Sequence, residues 1–224
     1  MAISFARSGA SHIAIGARSS LVFQKASIFA AASEAISLEP KVLIVSLDIT
    51  SQSSVKEAAV IVEKEFGKLD IVINNAGIIG VPAVVGDSVP DICWETMSVN
   101  LKGPYLVTRA FLPLLLKGGD KTIVTTSSVG AHLFGKGMSA YQISKMAVMR
   151  LMQFVQEEYG EKGSIAFIFV DTVELPADTV TFLTREPRQW LGGRYINCSW
   201  DMPGWLAKKD EIFKGDKLKV RLVF

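Results

Sequence analysis

Tyr141 and Lys145 stand four residues apart in a run, 140–158, whose spacing predicts a helix. The phenol and the ammonium therefore share one helix face. A free phenol titrates near ~10, and a neighbouring ammonium favours its ionised form. A tyrosine so placed can trade a proton with a carbonyl or an alcohol near neutral pH. Taken alone, the pair is more often an exposed surface contact. Ser127 and Ser128 close a β-branched run, 122–126, just upstream. Strand C-terminal ends line the ligand crevice of a parallel α/β sheet, so a hydroxyl there can hold a substrate oxygen beside Tyr141. The plainer role of Ser128 is a turn or helix cap. Asn74-Asn75-Ala76-Gly77 follows the short apolar run 69–73. Small residues and a glycine let backbone approach a flat ligand, and the asparagines can equally serve an ordinary turn. Asn100 falls inside a predicted long helix, 95–116, where a buried amide needs a partner.

The elements that must position these residues alternate along the chain. Helical patterns cover 1–8, ended by Gly9, then 20–36, 51–66, 95–116, 140–158 and 176–184. Strand patterns cover 12–17, 41–47, 69–73, 122–126, 164–170 and 194–198. In 51–66 the apolar stripe is Val55, Ala58, Ala59 and Val62. Pro104 and Pro113 are the exceptions that the long helix must accommodate. Alternation of this kind argues for a parallel sheet with helices on both faces.

Composition sets the outer limits. The 224 residues fit one domain, 1–224, and 49% hydrophobic with 21% charged residues allow a sizeable core. A net charge of +2 is too weak to argue for nucleic acid or an anionic membrane surface. No apolar run approaches the ~18 residues of a membrane span. Cys93 and Cys198 give neither a disulfide framework nor metal-ligand spacing, which points to a reducing, cytoplasmic setting. No acid precedes Glu34, a transit-peptide composition, but strand and helix patterns there assign the segment to the fold.

In their order and separations, Asn-Asn-Ala-Gly, Val99-Asn100, Ser127-Ser128 and Tyr141-x-x-x-Lys145 resemble the short-chain dehydrogenase/reductase family. The likeness covers most of 1–170 and the last strand. It implies a Rossmann-like doubly wound sheet and hydride transfer between a nicotinamide cofactor and a small-molecule ketone, aldehyde or alcohol. It also implies a homodimer or homotetramer built on helices 95–116 and 140–158. In the second helix Met146, Met149, Met152 and Phe154 offer apolar surface. By the resemblance, Tyr141 is the general acid/base and Lys145 lowers its pKa and holds the nicotinamide ribose. Ser128 orients the substrate oxygen, and Asn100 supports a proton relay through water. Asn74, Ala76 and Gly77 line the cofactor, and Asp48 meets the adenine, unless it simply caps helix 51–66. No acid ends strand 12–17, and Arg18 can pair with a 2′-phosphate, so NADP is expected ahead of NAD.

The sequence also departs from that pattern. The family opens with a strand and a glycine-rich turn whose N–H groups hold the pyrophosphate; Gly9 and Gly16 do not stand in for it. The expectation is a vacant first-strand position that leaves 12–17 and 69–73 each with an unpaired edge. Losing two such donors weakens cofactor binding by roughly two to four powers of ten. After strand 164–170, Asp171–Pro176 leads almost directly into a helix, so the substrate-covering loop is expected to be short or missing. The alternative to an active enzyme is therefore a reductase-like chain that serves at most as an interaction module. His132, Phe134 and Met138, between Ser128 and Tyr141, are the candidate pocket wall.

Overall fold

The computed structural model describes residues 1–161, 164–169 and 174–221, with backbone alone for 164–169 and 174. Helix α1 (Ala2–Arg7) ends at Gly9, whose φ of 82° is a conformation only glycine adopts freely. Strand β1 (His12–Ala17) follows, then α2 (Val22–Glu34), β2 (Lys41–Ser46) and α3 (Gln52–Phe66). Ser51 starts α3 by accepting the Ser54 N–H, and Gly67 at φ 73° ends it. Between them Val55, Ala58 and Val62 recur on one face and are buried, whereas Ala59 is only partly so.

Strand β3 (Ile71–Asn74) leads through a loop to α4 (Pro90–Met97). The helix expected over 95–116 is helical throughout, but it is not one regular α-helix. A wide π-turn, Ser98–Lys102, separates α4 from α5 (Gly103–Leu116). Pro104 then sits in the first turn of α5, where its missing N–H costs nothing, and only Pro113 lies in the helix interior. Strand β4 (Thr122–Ser127) is buried along its whole length. The 21-residue helix α6 (Ser139–Tyr159), β5 (Ser164–Phe169), α7 (Glu174–Thr184) and β6 (Arg194–Asn197) follow. Two short helices not expected from the sequence close the chain, α8 (Met202–Leu206) and α9 (Lys209–Lys214). The expected short passage from strand to helix at 171–176 falls partly on residues 170–173, outside the described residues.

Every strand pair is parallel. β1 and β2 form one sheet, and β3-β4-β5-β6 form another. Among the described residues no ladder joins the two, so β1 and β3 each have one strand neighbour. Side-chain packing joins them instead. Val45 of β2 and Val72 of β3 share one cluster with Val55, Leu106, Phe111, Ile123, Met149 and Met152. Val124, the next residue on β4, points the other way into a cluster with Val180, Leu191, Ile196 and Trp205. Helices thus cover both faces of the four-stranded sheet, as the alternating pattern implied. Met149 and Met152, counted from the sequence as surface for self-association, are core residues; Phe154 alone of that set is largely exposed.

Candidate active site

The site forms where β3 and β4 end and α6 begins. β4 delivers Ser127 and Ser128 into a short 3-10 turn, Val129–His132, which Ser128 caps by accepting the Gly130 N–H at 3.0 Å. Capping therefore does not exclude chemistry. It uses an acceptor position on Oγ and leaves the O–H to donate. A Cβ built on Gly130 would lie 3.2 Å from Ser128 Oγ and 3.4 Å from a Tyr141 ring carbon, so both side chains border the same small space.

Tyr141 and Lys145 occupy one face of the first turns of α6, with Lys145 Nζ 5.8 Å from the tyrosine ring centroid. The lysine is buried and donates to the Thr126 carbonyl at 3.0 Å. No carboxylate forms a salt bridge with it among the described residues, and burial lowers its pKa from 10.5 to about 8. Ser127 Oγ ties the same turn to β4 through the Lys145 carbonyl, 3.1 Å away.

Gly77 stands over this lysine. A Cβ there would come within 3.2 Å of both Lys145 Nζ and Asn100 Oδ1, tighter than ordinary contacts. Glycine keeps backbone, ammonium and amide close around one exposed surface. The Asn74 side chain is buried and turned inward, donating to Thr108 and Thr125 hydroxyls at 3.2 Å each. It anchors the loop; exposed Ala76 and Gly77 present its surface.

Asn100, placed by the π-turn, is buried. Its Oδ1 accepts the Ile78 N–H at 2.9 Å. Its Nδ2 donates to the Ile78 carbonyl at 2.8 Å and to Ser144 Oγ at 3.0 Å. Both amide protons are committed, so this side chain is a clamp. A water relay would have to use its backbone. Ser144, inside the recognised spacing but not singled out from the sequence, donates to the Tyr141 carbonyl at 2.6 Å.

Asp48 does not cap α3. Its Oδ1 accepts the Thr50 hydroxyl at 2.7 Å and the Thr50 N–H at 2.9 Å, closing its own turn. These bonds, helped by the charges of Arg18 and Lys102, hold its carboxyl below the usual range. Arg18 is exposed. Of the expected pocket wall, Phe134 is fully exposed, whereas the His132 ring packs edge-on against Tyr195 at 4.7 Å. The 133–138 loop is pinned beside Tyr141 by a 2.9 Å bond from the Gly135 N–H to Gln142. Among the described residues, no group of three or more His, Cys, Asp or Glu could hold a metal, and no helix is long and apolar enough to cross a membrane.

The short chain dehydrogenase family model matches residues 1–191. The chain belongs to the short-chain dehydrogenase family. It is 46% identical to the short chain dehydrogenase pigC of Monascus ruber, over all of this chain and 82% of that protein. It is 35% identical to the short chain dehydrogenase andI of Emericella variicolor, over 99% of this chain and 84% of that protein. The fold resembles an NADH-dependent reductase, A1-R′, complexed with NAD (TM-score 0.77, 18% identity, 88% of each chain). It also resembles a Shigella flexneri short chain dehydrogenase complexed with NADP (TM-score 0.71, 21% identity, 89% of this chain and 90% of that one). This short-chain dehydrogenase is thus an oxidoreductase of a family whose structural neighbours bind NAD or NADP.

Proposed function

We propose that this chain interconverts a small-molecule ketone or aldehyde and its alcohol, with NADP as cofactor and Tyr141 as the group that carries the proton. The observation that supports it most is the buried Lys145 ammonium, held between Tyr141, the Thr126 carbonyl and the Gly77 backbone. A lysine buried without a carboxylate is an expensive arrangement for structure alone, and such groups cluster at functional sites.

The residues fit a nicotinamide nucleotide at its two ends. Exposed Ala76 and Gly77 offer bare backbone, packed close against Lys145 and Asn100, to a flat group, and Asp48 with Arg18 lies at the end of β2 and β1. Bound there, the cofactor supplies or accepts the hydride. Lys145 would hold the ribose of the bound cofactor, and it keeps positive charge near the phenol. Tyr141 gives its proton to the carbonyl oxygen during reduction and takes it back during oxidation. Ser128, whose O–H donates to no group among the described residues, donates to that oxygen and fixes its position. Arg18, exposed and cationic, is the group suited to a 2′-phosphate.

The same reading carries self-association through α5 and α6, where Tyr105, Ile143 and Phe154 are exposed, and a cytoplasmic setting. The alignment with the pigC protein spans 248 positions against 224 residues here. The relative therefore has inserted residues, consistent with a shorter loop somewhere in this chain. Following NADPH absorbance with a panel of apolar and polar ketones tests the proposal. Turnover that Tyr141→Phe lowers by at least ~10²-fold supports it. Equal rates in both proteins would remove Tyr141 from the chemistry.

A further inference from the structure

Ser144 is fully buried, lies on the catalytic helix, and has no part in the proton transfer just described. Its hydroxyl makes two bonds that only a hydroxyl can make from one atom: it accepts from Asn100 Nδ2 at 3.0 Å and donates to the Tyr141 carbonyl at 2.6 Å. Asn100 in turn grips both the N–H and the carbonyl of Ile78, the residue after Gly77. The bonds form one line, from the loop that faces the proposed cofactor, through the π-turn, to the backbone of the proposed acid/base.

We infer that Ser144 is a positioning residue that couples the Gly77–Ile78 loop to Tyr141, so that the placement of one sets the placement of the other. The inference rests on the reading of Tyr141 as the proton-transfer group. Three features carry it. Every polar hydrogen of the Asn100 side chain is committed, so loss of the serine hydroxyl leaves a buried N–H unsatisfied rather than re-paired. The Ser144–Tyr141 bond fixes the carbonyl of the reacting residue itself. And Gly77 leaves so little space beside Asn100 Oδ1 and Lys145 Nζ that rotation of the amide would move the loop.

The test compares the wild-type chain with Ser144→Ala and Ser144→Thr. Hydrogen exchange at the Ile78 amide reports the loop end of the line without needing turnover. Steady-state kinetics with NADPH and a ketone report the Tyr141 end. The expected result for Ser144→Ala is Ile78 exchange faster by about tenfold or more, the factor that follows from ~1.4 kcal/mol of lost restraint. It should come with kcat lower by about tenfold and ketone KM within roughly twofold, because misplacing the acid leaves ground-state binding largely intact. Ser144→Thr keeps the hydroxyl and restores both readings; should the added methyl prevent folding, the alanine variant alone decides. Unchanged Ile78 exchange in Ser144→Ala overturns the coupling, as does faster exchange with unchanged kcat. A wild-type chain with no NADPH-dependent turnover would defeat the proposed function instead, while Ile78 exchange would still decide whether the clamp exists.

Discussion

Replacing Lys145 by methionine should make this protein more stable while removing its chemistry. Burial lowers the ammonium pKa from 10.5 to about 8, and one pKa unit corresponds to ~1.4 kcal/mol. The charged folded form is therefore penalised by on the order of 3 kcal/mol at neutral pH. Methionine fills similar space without charge, but the Thr126 carbonyl loses its 3.0 Å donor, which returns ~1 kcal/mol or more. The expected net gain is about 1–3 kcal/mol at pH 7, or several degrees in Tm for a chain of this length. The pH dependence fixes the cause. Well below pH 8 the lysine is protonated in both states and the penalty is complete. Between pH 8 and 10.5 the folded lysine is largely neutral while the unfolded one still holds its proton. The unfolded state then binds more protons, so wild-type stability rises with pH across that window. The Lys145→Met protein lacks this contribution, and its advantage should shrink from about pH 7 to about pH 10. Urea denaturation at a series of pH values measures it. A variant less stable than wild type at neutral pH, or a difference constant across the series, would refute the reasoning.

Other consequences can be checked independently. Ser51→Ala removes the side-chain cap of α3 and should lower stability by about 1 kcal/mol in urea, with activity unchanged. Backbone amides along the free edges of β1 and β3 should exchange faster than those of β4, which is paired on both sides; equal protection would mean that those edges are covered. Arg18→Glu should weaken NADPH binding by about tenfold or more relative to NADH, read from nicotinamide fluorescence; an unchanged ratio removes Arg18 from cofactor choice. Sedimentation should find more than a monomer at micromolar concentration, and Phe154→Glu should shift it toward monomer; a wild-type monomer contradicts assembly through α5 and α6.

The most legible features in the sequence were those set by local spacing. A spacing of four residues from Tyr141 to Lys145 sufficed to place both on one face, and an apolar run marked β1 and a β-branched run β4 to within a residue. Features set by tertiary bonds were not legible. The π-turn at Ser98–Lys102 puts Asn100 against Ile78 and Ser144, partners distant in sequence, so the periodicity of 95–116 showed a helix but not the turn inside it. Met149 and Met152 have the same apolar character as exposed Phe154, and only packing against Leu106 and Ile123 separates core from surface. Asp48 was a plausible cap until the backbone gave that role to Ser51 and turned the carboxylate onto Thr50. Ser144 lay inside the recognised motif, yet its bond to Asn100 spans 44 residues of sequence, and a pairing so distant leaves no local signal.

If Tyr141 supplies the proton for hydride transfer to a carbonyl, the most direct measurement follows the hydride itself. The chain is incubated with NADPH deuterated at the reactive nicotinamide carbon, at saturating cofactor, and a ketone panel is analysed by mass spectrometry. Prolonged incubation detects even slow turnover. Deuterium is expected on the carbinol carbon of at least one product with the wild-type chain, accumulating at least ~10²-fold more slowly with Tyr141→Phe. No label from any ketone at saturating cofactor, or equal rates of labelling by both proteins, would contradict that role.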